Sequence, residues 1–63
     1  MAHNLSTVKL CNNLLPKHQA LVYFWDTYGT KRLGFYFSTF KFVELNTGFS
    51  FKPNVDILCW QYK

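Results

Sequence analysis

The stretch VYFWDTYGTKRLGFYF, running from Val22 to Phe37, decides the fold. Aromatic and aliphatic residues alternate on both sides of Asp26-Thr27-Tyr28-Gly29-Thr30. Before that break, Leu21, Tyr23 and Trp25 share one face of an extended chain, and Ala20, Val22 and Phe24 share the other. After it, Leu33, Phe35 and Phe37 alternate with Arg32, Gly34 and Tyr36. A period of two in β-branched and aromatic residues marks strands. The break carries turn chemistry, with Gly29 free to take a positive φ. The stretch therefore predicts a β-hairpin with strands over Ala20–Trp25 and Lys31–Ser38.

Working outward, a third strand is expected over Phe40–Leu45. Its alternation is impure, because Phe40 and Phe42 share a face with Glu44, and a bulge would reconcile the phase. Asn46-Thr47-Gly48 reads as a turn and Phe49–Asn54 as a connection, in which Pro53 excludes a central strand. Val55–Tyr62 reads as the last strand. Upstream, Leu5, Val8, Cys11 and Leu15 lie near helical spacing, with Asn4 as a cap and Pro16 as a stop. Asn12 and Asn13 oppose that helix, so residues 1–18 are expected as a short helix or an extended arm. The whole chain, 1–63, reads as a single all-β domain: a four-stranded antiparallel meander over 20–62, curling toward a small SH3-like half-barrel. Gly34, in mid-strand, fits a tight bend or a close backbone approach at a barrel corner.

A chain of 63 residues has a marginal core, because a domain of that size buries only roughly 60% of the surface its unfolded chain exposes. Aromatic residues make up 21% of it, which points to dense ring packing as the stabilising device. The Leu21/Tyr23/Trp25 and Leu33/Phe35/Phe37 faces are expected to form the core with Leu58 and Trp60. The opposite face then displays Phe24, Arg32 and Tyr36, with Tyr28 in the turn and Lys31 and Lys41 alongside. Those six residues are the candidate binding surface. Rings interleaved with cations serve single-stranded nucleic acid binders as stacking platforms, and Trp, Tyr and Arg also dominate protein-binding hot spots. Arg32-Leu33-Gly34-Phe35-Tyr36-Phe37 has the basic-then-aromatic character of an RNA-recognition strand without its order of residues.

The formal net charge is +4, from seven Lys+Arg against three Asp+Glu. That balance suits nucleic acid, an anionic membrane or an acidic protein surface, and excludes an acidic mimic of DNA. It also serves solubility. No apolar run approaches the ~20 residues of a membrane span, and the start MAHNLSTVKLCNNLL lacks a signal-peptide pattern, so a cytoplasmic location is expected. His3, Cys11, His18 and Cys59 include no close pair of the kind zinc sites use, so no metal is expected. A reducing cytoplasm argues against a Cys11–Cys59 disulfide and for two small buried thiols. The acidic inventory is Asp26, Glu44 and Asp56, with no nucleophile set beside a His and its orienting acid and no glycine-rich phosphate loop. Neither catalysis nor a cofactor is expected.

The order of short motifs adds a likeness. Leu15-Pro16, a polar loop, Ala20-Leu21-Val22-Tyr23, then Leu33-Gly34-Phe35-Tyr36, and finally Asp56-Ile57-Leu58-Cys59-Trp60 resemble the small phage and prophage proteins called domain of unknown function 551. Those proteins run Leu-Pro, Val-Leu-Val-Tyr, Ile-Gly-Tyr-Tyr and a closing Val-Thr-His-Trp. The chain departs from them in lacking an opening Trp, in ending Gln61-Tyr62-Lys63, in carrying Cys59 before the Trp and in its short loop before Ala20. The resemblance implies a phage origin, no assigned activity, and framework roles for Tyr23, Gly34 and Trp60. On that basis the expected function is a small module that binds a host protein through its aromatic and basic surface and inhibits or redirects it. Single-stranded nucleic acid binding by the same face is the alternative. A structural subunit, such as a homodimer pairing through open sheet edges, is a second alternative.

Overall fold

The computed structural model describes residues 8–63. They form one six-stranded antiparallel sheet of order β1-β6-β2-β3-β4-β5. The strands are β1 (Lys9–Leu10), β2 (Leu21–Asp26), β3 (Lys31–Phe37), β4 (Lys41–Glu44), β5 (Ser50–Phe51) and β6 (Ile57–Tyr62). The all-β class holds, and β2, β3, β4 and β6 are the four expected strands, but they do not form a four-stranded meander: β5 takes the free edge of β4, and the last strand returns to pair with β2. Two short edge strands are additional. β1 lies where a helix or arm was expected, and it ends in a turn in which the Asn13 and Leu14 amides both donate to the Leu10 carbonyl. Asn4 and Leu5, the expected start of a helix, lie outside the described residues. β5 sits in the expected connection and stops two residues before Pro53, which cannot donate to a ladder. Among the described residues there is no helix, and so none long and apolar enough to cross a membrane.

The hairpin forms as its residues require. Val22 pairs with Gly34 and Phe24 with Arg32 across β2 and β3. Gly29 takes φ +82°, and its amide donates to the Asp26 carbonyl at 3.0 Å. The Asp26 carboxylate closes the turn by accepting from the Tyr28 and Thr30 amides, each at 2.9 Å. The sheet then curls toward a half-barrel. β5 lies three strands from β2, yet the Phe51 ring stands 5.9 Å from the Phe24 ring. Pro53 bridges Ile57, bringing the far edge back toward β6. Gly34 permits this curvature: a Cβ there would run into the Val43 carbonyl oxygen and come within 2.9 Å of Glu44 Cα.

The hairpin buries the face opposite to the one expected. The core is Cys11, Val22, Phe24, Tyr36, Phe42, Ile57 and Trp60, with Leu15, Ala20 and Phe51 packed against it. Phe42 is its hub, with the Phe24 and Tyr36 rings each 4.9 Å away. Leu21, Tyr23, Trp25, Leu33, Phe35 and Phe37 lie instead on the outer face, half-buried by their neighbours. Trp60 is in the core as expected, while Leu58 is 49% exposed. A register shift accounts for that split: Trp25 pairs with Cys59 but Asp26 with Ile57, so Leu58 is turned out. Ile57 and Trp60, three apart in sequence, thereby both reach the inner face. The bulge is thus in the β2–β6 pairing rather than in the third strand, which pairs regularly with β3.

The inner face also carries charge. Arg32 lies between two carboxylates on the inner face, with Nε 3.0 Å from Asp26 Oδ2 and a terminal nitrogen 2.9 Å from Glu44 Oε1. Charges that pair and hydrogen-bond one another can enter an interior that would reject any one of them alone. Residues 11–16 then cover the same face. The Cys11 amide donates to the Leu58 carbonyl at 3.0 Å, and the Trp60 indole N–H donates to the Leu14 carbonyl at 2.7 Å.

Candidate binding face

The six residues singled out in the sequence separate into four groups. Phe24 and Tyr36 are core residues, 0% and 3% exposed, and cannot contact a partner. Burial raises the Tyr36 hydroxyl pKa, as the core requires of it. Arg32 is a structural cation, bound to both carboxylates with its guanidinium 4.9 Å over the Phe51 ring. The hydrogen bond with Asp26 is the main reason its pKa is raised, with Glu44 adding to it. Desolvation works against ionisation of Asp26, but the Thr30 amide, the Arg32 side chain and the Tyr28 amide outweigh it and hold the carboxyl below the usual range. Tyr28 is 92% exposed at the hairpin tip. Lys31 and Lys41 are both on the outer face by strand alternation, at opposite ends of β3.

That outer face holds the rings expected in the core. Trp25 and Tyr23 are two residues apart on β2. Phe35 stands beside Leu21 on β3, diagonal to Tyr23, and Phe37 is two residues further on. Trp25, Tyr23, Phe35 and Phe37 thus step diagonally across two strands. Each two-residue step along a strand is about 6.6–6.8 Å, and a diagonal neighbour lies about 7–8 Å away. The line of rings is therefore about 20 Å long. Lysines flank it. Lys31 Nζ lies 4.2 Å from the centroid of the Tyr23 ring and 5.8 Å from that of Trp25. Lys41 is the cross-strand partner of Phe37. Lys63, whose amide donates to the Leu21 carbonyl at 3.2 Å, follows β6 on the opposite flank.

Among the described residues no acidic side chain shares this face. Asp26 and Glu44 are inside, and Asp56 closes the turn before β6 by accepting from the Lys52 amide at 2.9 Å. With the three acidic side chains engaged elsewhere, the charges that strand alternation places on the outer face are those of Lys31 and Lys41. Each end of the ring line opens into a shallow hollow. One, about 480 Å³, is walled by Val8, Trp25, Leu58 and Cys59. The other, about 310 Å³, is walled by Gln19, Phe35 and Phe37. His18 fixes the Phe37 end, with its ring 5.8 Å edge-on to Phe37 and its Nδ1 accepting from the Ser38 amide at 3.0 Å. Leu10, Leu45 and Leu58, 52%, 52% and 49% exposed, add an aliphatic rim.

Both cysteines are free thiols, and they sit on opposite sides of the sheet. Cys11 is in the core, and Cys59 is beside Trp25 on the outer face. Burial pushes the Cys11 thiol up to about 11, against a hydrogen bond with the Asn54 backbone that favours ionisation. Burial raises Cys59 as well. Among the described residues no group of three or more His, Cys, Asp or Glu is placed to hold a metal ion.

No family model, no curated protein and no solved structure matches the chain. The likeness to the domain of unknown function 551 therefore rests on the short motifs quoted above. Sequence reasoning missed Tyr23, Trp25, Phe35 and Phe37 as surface residues because they belong to the more apolar face. A signal was present all the same. Asp26, Arg32 and Glu44 fall on one face by period two, and the hairpin register brings them within ion-pair reach.

Proposed function

We propose that this protein is a small binding module that holds a single-stranded nucleic acid on its outer sheet face. The observation that carries the reading is the line of rings from Trp25 to Phe37, flanked by Lys31, Lys41 and Lys63 on a face that carries no acidic side chain among the described residues. Half-buried rings on a sheet lose less freedom on binding than rings on a mobile loop. A base stacked on such a ring contributes roughly 1–3 kcal/mol with little regard to sequence. The lysines neutralise phosphates along the line.

Fluorescence anisotropy with a labelled single-stranded 15-mer tests this. Neutralisation of phosphates by these lysines gives a slope of log K against log salt of about −2, from roughly −0.7 for each phosphate. Lys31→Ala with Lys41→Ala should flatten that slope. Tyr23→Ala with Trp25→Ala should weaken binding about 10-fold or more at constant slope. Salt-independent or undetectable binding would refute the reading.

The exposed leucines favour a second reading, in which the same face docks on an acidic, apolar groove of a partner protein. This is the host-protein module that the phage likeness implies. Capture from a lysate with and without nuclease separates the two. A stoichiometric protein that survives nuclease supports the second reading, and loss of all partners supports the first. Assembly through sheet edges has less support, because each edge strand is only two residues long.

A further inference from the structure

The loop Ser38-Thr39-Phe40 joins β3 to β4 at the end of the sheet where the ring line stops. Phe40 takes φ +64° there. In a three-residue hairpin loop this left-handed position belongs to glycine, which adopts it freely, whereas a bulky side chain is strained. The ring is also 65% exposed, so burial does not compensate for the strain. Neither the local backbone nor the core accounts for a phenylalanine at this position. Residues held in such conformations concentrate where a ligand is gripped.

Phe40 forms one wall of a groove of about 330 Å³. Leu15, Pro53 and Val55 give it an apolar lining, and Lys52 and Asn54 bring a cation and an amide. Among the described residues no acidic side chain forms its wall, and the Asp56 carboxylate beside it accepts from the Lys52 amide at 2.9 Å. Asn54, itself at φ +65°, is fixed by its amide donating to the Ile57 carbonyl at 2.8 Å. A flat ring, an amide that both donates and accepts, and an ammonium group fit a nucleotide: stacking for the base, hydrogen bonds for its edge, charge for its phosphate.

We propose that this groove is a nucleobase subsite, in which Phe40 stacks on a base, Asn54 meets the base edge and Lys52 meets the adjoining phosphate. The inference rests on the nucleic acid reading of the outer face and extends it. A strand leaving Phe37 turns over the hairpin end and places its next base against Phe40.

The test is binding of the labelled single-stranded 15-mer to the full chain, alongside thermal unfolding. Phe40→Gly removes the ring at a position where glycine relieves strain, so the variant should unfold at the same or a higher temperature. It should bind about 5- to 150-fold more weakly, the loss of one stacked base. Phe40→Tyr should retain affinity. Phe40→Leu, apolar but not planar, should lose it. Phe49→Ala removes a ring 64% exposed outside the groove and should change nothing. If Phe40→Gly binds like the parent chain while Tyr23→Ala with Trp25→Ala does not, the subsite is overturned and the outer face stands. If Phe40→Leu retains affinity, the groove recognises apolar bulk rather than a base, and the subsite is again overturned. If the parent chain binds no oligonucleotide, both readings fall.

Discussion

Phe24 and Trp25 are neighbours in sequence on opposite faces of one strand, and truncating each tests the orientation of the whole sheet. Phe24 is fully buried against Phe42 and Phe51. Phe24→Ala leaves a cavity in a small core and should cost about 3–5 kcal/mol. A chain of 63 residues has a total stability of roughly 3–9 kcal/mol. Phe24→Ala should therefore bring the protein to the edge of unfolding. Trp25 is half-buried on the outer face, and its loss removes partial burial and a weak contact with Lys31. Trp25→Ala should cost only about 1–2 kcal/mol. Urea unfolding followed by far-ultraviolet circular dichroism measures both. Phe24→Leu, at roughly 1–2 kcal/mol, keeps the core position measurable if the alanine variant does not fold. If Trp25→Ala is the more destabilising of the two alanine variants, the sheet buries the other face and the proposed binding surface is its core.

Gly34→Ala should be among the most damaging of single changes, because the new Cβ meets the Val43 backbone. Separating β3 from β4 to admit it should cost about 3 kcal/mol or more, read as a fall in the urea midpoint. The depressed Asp26 carboxyl makes stability depend on acid. Below about pH 4, the unfolded chain takes up a proton that folded Asp26 resists, so stability falls as pH drops through that window. Comparing urea midpoints at pH 6 and pH 3 checks this: Asp26→Asn should be less stable at pH 6 and show a smaller acid loss. Cys11 gives the opposite limb. Its thiol stays protonated up to about 11 when folded, while the unfolded thiol ionises near 9.0, so stability falls as pH rises between them. Cys11→Ala should flatten that fall. In the native protein a thiol reagent should label Cys59 first and reach Cys11 only on unfolding.

The hairpin was legible in the sequence because its determinants are local. Strict alternation on both sides of Asp26–Thr30, a carboxylate placed to accept from the turn amides and a glycine at positive φ specify two paired strands without reference to the rest of the chain. The third and last strands followed from the same period, to within two residues at each end. The two-residue strands β1 and β5 were not legible. So few residues carry no period, and they extend only because β6 and β4 offer open edges. The candidate site suffered more. Period two divides a strand into two sets of residues but does not say which set faces inward.

By itself, then, the sequence determined an all-β chain, the register of its hairpin, its basic charge and the partition of rings into two faces. The tertiary structure decided which face is the surface. Arg32, Asp26 and Glu44 lie on the face turned inward, and their burial is tolerated because they pair once β2, β3 and β4 lie side by side. A bulge at Leu58 that brings Ile57 and Trp60 together, and a segment from Cys11 to Pro16 that covers them, complete the inner face. Apart from the Asp26–Arg32 pair, which the hairpin itself brings together, these are contacts between residues distant in sequence, and no local pattern encodes such contacts.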